Sequence, residues 1–215
     1  MHLISVNIGQ ERSIQNAKAS GKTGIYKLPT SEPVQITPDG LASDVICDVE
    51  NHGGVDQAVY IFGTDDYAWW SATLGRELTP GTFGENLTIS DLASPAFSIG
   101  DYLHVGTVVL QVTAPRIPCV TLAVRMGDPT FVKRFRHAER PGLYCRVLQP
   151  GFVHVGDPVT WERYTGATIT AIEMFRDFYE PDLSEANVRR HLAAPIAIRD
   201  RVDKEARLQT ISKTK

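Results

Sequence analysis

A β-favouring run, Val108-Val109-Leu110-Gln111-Val112-Thr113-Ala114, ends abruptly in Pro115-Arg116-Ile117-Pro118-Cys119. Each proline fixes its own φ at about −65° and pushes the residue before it toward extended geometry. The backbone carrying Arg116 and Cys119 is therefore stiff, and is expected to be neither helix nor central strand. A guanidinium fork and a thiol on such a segment can present both groups to one small anionic partner. The alternative is a proline-rich surface loop with an incidental cysteine.

The residues before this segment read as short strands separated by turns. Leu3 to Ile8 alternates apolar and polar side chains, as a half-buried strand does. Gln10 to Gly21 is polar and reads as loop. Thr23-Gly24-Ile25-Tyr26-Lys27 reads as an edge strand closed by Pro29, with Lys27 either solvated or facing an anion. Val34 to Ile36 continues the pattern, and Pro38-Asp39-Gly40 is a turn. Val45 to Val49 is expected as another strand, with Cys47 in phase as a small core residue. Asn51-His52-Gly53-Gly54-Val55-Asp56-Gln57 follows. Its paired glycines permit positive φ and can form an anion-binding nest with His52 at the edge, or simply a hairpin turn into a strand at Ala58 to Phe62.

Thr64 to Leu74 is predicted as a helix stopped by Gly75, with its tryptophans as packing. Phe83-Gly84-Glu85-Asn86-Leu87 is a second glycine-bearing loop. Glu85 and Asn86 place acceptors and donors side by side and could read an amide-edged heterocycle, or satisfy their own backbone. Strands are expected at Tyr102–Val105, Val108–Thr113, Leu143–Leu148 and Val159–Glu162, and helices at Val120–Arg125 and Thr130–Ala138. On the strand at Leu143–Leu148, Leu143, Cys145 and Val147 share a core face, while Tyr144, Arg146 and Leu148 point the other way. Arg146 could then reach an anion or face water.

The period changes after Gly166. Residues 168–210 are predicted as three short helices appended to a β-rich domain of residues 1–163, with an Asp182 to Glu185 capping box, Pro195 as the first residue of a third helix that ends near Leu208, and Lys213 and Lys215 in a frayed tail. The fold class is mainly β (α+β), a barrel-like sheet with a three-helix C-terminal appendage. Those helices can pack on their own sheet or on a second subunit, so a homodimer stays open.

A chain of 215 residues can bury a sizeable core. Its net charge of −3 gives no basic field for a nucleic-acid polymer. No apolar run approaches the roughly 18 residues of a membrane span. Three cysteines, an odd number, do not make a disulfide framework, and the N-terminus lacks signal-peptide character. Together these point to a reducing cytoplasm.

Cys119 carries the chemistry. Arg116, three residues away, favours the thiolate, the form that attacks or ligates metal. It could be a nucleophile with His52 as base, though no nucleophile motif is present. A zinc site has no Cys-x-x-Cys and only scattered histidines. A third option is one thiolate holding a soft, high-valent metal whose other ligands come from a cofactor. Neither the phosphate-loop nor the dinucleotide fingerprint occurs.

Thr23–Lys27, His52–Tyr60, Phe83–Leu87, Ile99–Asp101 and Thr113–Cys119 stand in the order and type found in MOSC-domain proteins, and the chain most resembles the stand-alone YiiM-like branch with its three-helix extension. One departure is Leu41-Ala42-Ser43-Asp44, where the family commonly has Gly before the Asp. The resemblance implies a MOSC-type β-barrel binding molybdenum cofactor, a pyranopterin dithiolene carrying oxo-molybdenum. Cys119 would be the protein ligand to the metal and the catalytic residue. Lys27, Arg116 and Arg146 would meet the phosphate or the oxo edge, His52, Gly53 and Gly54 would line the cofactor, and Glu85 with Asn86 would read the pterin. Phe83, Gly84, Thr113 and Pro118 join this binding set by their place in the motifs.

The implied activity is reduction of N-hydroxylated compounds, such as N-hydroxylated purine bases and amidoximes, to the parent amines. The chain shows no ferredoxin-like cysteine cluster and no flavin fingerprint, so an electron-donating reductase protein is the expected partner. The competing reading is a cofactor or sulfur carrier without turnover. It is weakened because the pyridoxal-phosphate-dependent domain that usually feeds such sulfur is not within these residues. A third reading is an interaction domain with an unused pocket.

Overall fold

A computed structural model describes residues 1–17 and 21–213. In chain order the strands are β1 (Leu3–Gly9), β2 (Arg12–Ser13), β3 (Lys22–Thr23), β4 (Lys27–Thr30), β5 (Val34–Thr37), β6 (Gly40–Leu41), β7 (Val59–Gly63), β8 (Leu87–Ile89), β9 (Tyr102–Val105), β10 (Val108–Pro115), β11 (Leu143–Gln149), β12 (Gly151–Val153) and β13 (Val159–Glu162). The α-helices are α1 (Val49–His52), α2 (Thr64–Leu74), α3 (Val120–Met126), α4 (Phe131–Ala138), α5 (Ala171–Tyr179), α6 (Glu185–Ala193) and α7 (Ile198–Lys213).

Among the described residues the main sheet runs β13-β9-β10-β11-β7-β8-β1-β4. Its ladders are antiparallel except β7–β8, which α2 connects as a parallel crossover. No ladder joins the two ends. A single bridge, His2 to Pro158, links the start of β1 to the start of β13, with the Val159 amide donating to the Met1 carbonyl at 3.0 Å. The structure thus shows a mixed fold, a large sheet with helices packed on it, and no closed ladder of strands among the described residues.

The α2 helix behaves as its sequence reads, ending on Gly75 in the left-handed region. It packs Trp70 into an aromatic cluster. The Trp70 ring stacks on Phe135 at 5.7 Å, and Phe83 stacks on Phe62 at 4.3 Å. Inner residues of the C-terminal region, among them Met174 and Phe175 of α5 and Ile196 in the link between α6 and α7, belong to the same buried cluster as the sheet.

Several expectations change. Val45 to Val49 is not a strand. Asp48 caps α1 by accepting from the Asn51 amide at 3.3 Å, and this local bond outweighs the β preference of Val45 and Ile46. Cys47 is accordingly half-buried beside a cleft, and the core thiol is Cys145. The hairpin expected after Asn51 is α1 followed by a 3-10 turn at Val55–Gln57.

The edge strand at Thr23–Lys27 is split between β3 and β4. Pro29 lies within β4, opposite Asn7, and is tolerated because β4 is the sheet edge. Lys27 is buried, not solvated. The capping box falls at Thr170 and Glu173, and Ser184 rather than Asp182 caps α6. The last helix begins at Ile198, beyond Pro195, and extends past Leu208 to include Lys213. Lys215 lies outside the described residues.

Candidate functional site

The cleft forms where the Pro115–Cys119 segment leaves β10 and faces the 23–27 loop, the 45–48 segment and the end of α1. Its wall is set by close backbone packing. A Cβ on Gly24 would stand 1.8 Å from the Val45 carbonyl oxygen, so only glycine lets these two segments meet.

Cys119 is half-buried at the start of α3 and lines the cleft. Burial by itself would push its thiol up. The neighbouring His52 ring and the Arg116 charge more than reverse this and bring the pKa down to about 6. Cys119 is therefore mostly thiolate at neutral pH.

Arg116 is buried and also lines the cleft. One terminal nitrogen donates to the Phe83 carbonyl, and the guanidinium lies over the Tyr60 ring at 5.1 Å. Its Nε finds no hydrogen-bond partner among the described residues. A buried cationic donor left open is normally completed by a ligand, ion or water.

Lys27 reaches the same cleft. It pairs with Asp44, whose carboxylate also accepts from the Gly9 amide at 2.7 Å and from Asn86 Nδ2 at 2.9 Å. Asn86 Oδ1 in turn accepts from the Tyr60 amide at 3.1 Å. Burial lowers the Lys27 pKa, and the Asp44 charge opposes that shift. The charged ammonium is thus held in place by a carboxylate that is itself fully engaged.

The expected site residues divide into those that meet and those that do not. Lys27, His52, Gly84, Asn86, Arg116 and Cys119 line the cleft together. Glu85 does not. Its Oε1 accepts from the Tyr67 hydroxyl and the Gly81 amide, both at 2.6 Å, and from Thr88 at 2.9 Å, so it holds the Gly81 turn from within the core. Phe83 is in the aromatic cluster and touches the site only through its carbonyl on Arg116.

Thr113 is buried and donates to the Tyr144 carbonyl at 3.0 Å. Gly53 and Gly54 form the turn after α1, with Gly54 at φ +96°. Pro118 lines a neighbouring cavity that Cys119 also borders. Arg146 is turned away, paired with Asp56 at 2.7 Å and donating to the Ile196 carbonyl at 3.2 Å.

Sequence reading missed Tyr60, Tyr144, Gln57 and Cys47 as lining residues, and Asp44 as the group that places Lys27. A signal existed for two of them: Gln57 and Tyr60 sit inside the His52–Tyr60 motif. Tyr144 was legible only as the face of β11 opposite Cys145.

These features define a sheet-based protein with a cleft that brings Lys27 and Arg116 together with one activated thiol. The chain belongs to the MOSC domain family, whose model matches residues 48–160. It is 34% identical over 154 residues to YflK of Bacillus subtilis (strain 168), which covers 72% of this chain and 70% of that protein. It is 32% identical over 142 residues to a protein named Reductase from Gibberella moniliformis (strain M3125 / FGSC 7600), covering 64% of this chain but 25% of that longer one. Among solved structures, YiiM from Geobacillus stearothermophilus superposes with a TM-score of 0.78 at 28% identity, covering 96% of this chain and 98% of that one. The protein is YiiM-like. No helix of the described residues is long and apolar enough to cross a membrane.

Proposed function

We propose that this protein is a molybdenum-cofactor-dependent reductase of N-hydroxylated compounds, cytoplasmic, and supplied with electrons by a separate reductase protein. The observation that carries the reading is Cys119, a thiolate at neutral pH set beside the open Nε of Arg116 and the placed ammonium of Lys27. A soft anionic sulfur suits a high-valent molybdenum, and the two cations suit a pterin phosphate. MOSC domains are generally associated with this cofactor.

Among the described residues no cluster of three or more His, Cys, Asp or Glu side chains gathers, so a metal at Cys119 would take its other ligands from the cofactor. When bound, the cofactor supplies two-electron oxygen-accepting chemistry at the metal. The chain's own residues do the rest. Cys119 would hold the metal, Arg116 and the Asp44-paired Lys27 would face the cofactor's anionic end, and Asn86, fixed by Asp44 and the Tyr60 amide, would present its second amide hydrogen to the pterin. His52, in contact with the thiolate, is placed to move a proton at the reacting end. The net reaction cleaves one N–OH bond, consumes two electrons and two protons, and releases the amine and water. The barrel would be completed through the His2–Pro158 bridge, with residues 1–163 as the cofactor-binding unit and 168–210 as its appendage.

The test is molybdenum and pterin content in protein made in a cofactor-competent host, beside Cys119→Ala, followed by turnover of N-hydroxy substrates with an artificial electron donor. Stoichiometric metal, its loss or altered spectrum in the variant, and turnover by wild type are expected. Bound metal without turnover would point instead to a carrier. A chain that takes up neither metal nor pterin would return Cys119 to the role of nucleophile.

A further inference from the structure

A second cavity, also lined by Cys119, adjoins the cofactor cleft. The two share Cys119, His52, Gln57 and Tyr144 and differ in everything else. The first is walled by the glycine-rich strands and holds the cations. The second is walled by Ile117 and Pro118 on one side and by the C-terminal helices on the other, through Met174 and Phe178 of α5 and Arg199 and Asp200 of α7.

The chemistry of this second space is specific. Met174 is buried and Phe178 is 60% exposed, so the wall is apolar and open to solvent at one end. Arg199 is engaged, donating to the carbonyls of Glu50 and Asn51 at the end of α1. Asp200 is different. It is half-buried, and its carboxylate has no hydrogen bond or ion pair among the described residues. Burial and the neighbouring Asp203 hold its carboxyl above the ordinary range, a shift that a bound amino or amidinium group would reverse. A slot that sets the apolar Met174 and Phe178 beside the Asp200 carboxylate, with Arg199 already engaged by the α1 carbonyls, is complementary to a flat ring bearing an amino group.

We propose that this cavity is the substrate vestibule, and that it selects aromatic N-hydroxy compounds carrying an adjacent amino group, with Phe178 and Met174 against the ring and Asp200 accepting from the amino group. The inference rests on the reductase reading above and adds to it the route and the selectivity. It gives the C-terminal helices a part in specificity, because they supply Met174, Phe178, Arg199 and Asp200 to the slot, beside Asn51 and the Ala114–Pro118 strip, and none of these four lines the cofactor cleft.

Benzamidine, the product of benzamidoxime reduction, is the probe, because its binding can be measured by calorimetry with or without metal. Wild type, Phe178→Ala and Asp200→Asn are compared, with Phe152→Ala on exposed β12 as a control, and molybdenum is quantified in each. Loss of the carboxylate is expected to weaken benzamidine binding by about tenfold or more, as removal of a charged hydrogen-bond partner does. Loss of the ring is expected to weaken it about fivefold, as removal of an aromatic contact does.

In turnover, KM for benzamidoxime rises with kcat nearly unchanged, acetamidoxime is indifferent to Phe178→Ala, and Asp200→Asn erases the preference for benzamidoxime over benzohydroxamic acid. Benzamidine binding that is absent in wild type, or identical in all four proteins, overturns the vestibule whatever the metal content. Binding lost in the two variants upholds the vestibule even if the preparation proves to hold no molybdenum, in which case the cofactor reading fails on its own.

Discussion

The Asp56 carboxylate accepts a hydrogen bond from the Ile198 backbone amide at 2.6 Å, across 142 residues of chain. The same carboxylate pairs with Arg146, which donates onward to the carbonyl of Ile196. A residue of the glycine motif on the sheet side therefore anchors the start of the last helix, and with it Arg199 and Asp200 at the edge of the second cavity. Replacing Asp56 by Ala removes a charged acceptor, a loss of roughly 1.5–3 kcal/mol. Hydrogen exchange should show α7 losing protection first while β10 and β11 keep theirs. Uniform loss over the sheet would mean that Asp56 supports the whole fold and not the docking of the helix.

The Cys119 thiol sets a pH dependence whose sign can be worked out. It ionises at about 6 in the folded chain, against about 8.5 for an unperturbed thiol. Alkylation of the metal-free protein should therefore rise with a midpoint near 6, and His52→Ala should move that midpoint upward by roughly a unit. A depressed folded value also contributes stability, present in full above the unfolded pKa and gone once the pH falls through the folded one. The melting temperature of wild type should gain on that of Cys119→Ser as the pH rises from 6 toward about 8.5. A gap that is flat across this window would show that the thiolate is not stabilised by its surroundings.

Lys27 and Asp44 form a buried pair, and removing either side alone leaves the other exposed to the cost of burial. Asp44→Ala should destabilise by about 3–5 kcal/mol, since it strands an ammonium in a low-dielectric site. The double change with Lys27→Met should recover much of that loss in chemical denaturation, while lowering the retained pterin. Additive losses in the double variant would place the main contribution of Asp44 on the Gly9 amide and Asn86, which it also engages.

The elements that sequence alone placed well are those with strong local signals. The Gly75 stop of α2, the strand at β1, the turn at Pro38–Gly40 and the helix at Phe131–Ala138 all follow from short-range periodicity and caps. The segment Val45–Val49 misled because its apolar run is β-favouring while its ends belong to a cap, and the packing of Val45 against Gly24 is a long-range event that no local pattern encodes. Within the site, Cys119, Arg116, Lys27, His52, Gly84 and Asn86 were legible because their motifs combine a rigid backbone with a chemically distinctive side chain. Glu85, Phe83 and Thr113 were assigned to binding by motif membership, and Arg146 by its place on the outward face of its strand. In the folded chain Glu85 and Arg146 are engaged by internal partners, and Phe83 and Thr113 are buried.

What the sequence determined by itself was the inventory: a stiff proline segment presenting one thiol and one guanidinium, strands to support it, and a helical C-terminus. Those properties depend on φ restrictions, periodicity and residue chemistry that act within a few positions. Only the tertiary structure decided which charged groups face the cleft and which are spent on each other. Both Arg116 and Arg146 keep an Nε unpartnered among the described residues, but Arg116 lines the cleft while a terminal nitrogen of Arg146 closes on Asp56, and Asp44 holds Lys27 from a loop 17 residues further on. A charge buried in a low-dielectric interior is stable only with a partner, and the identity of that partner is fixed by contacts between distant segments.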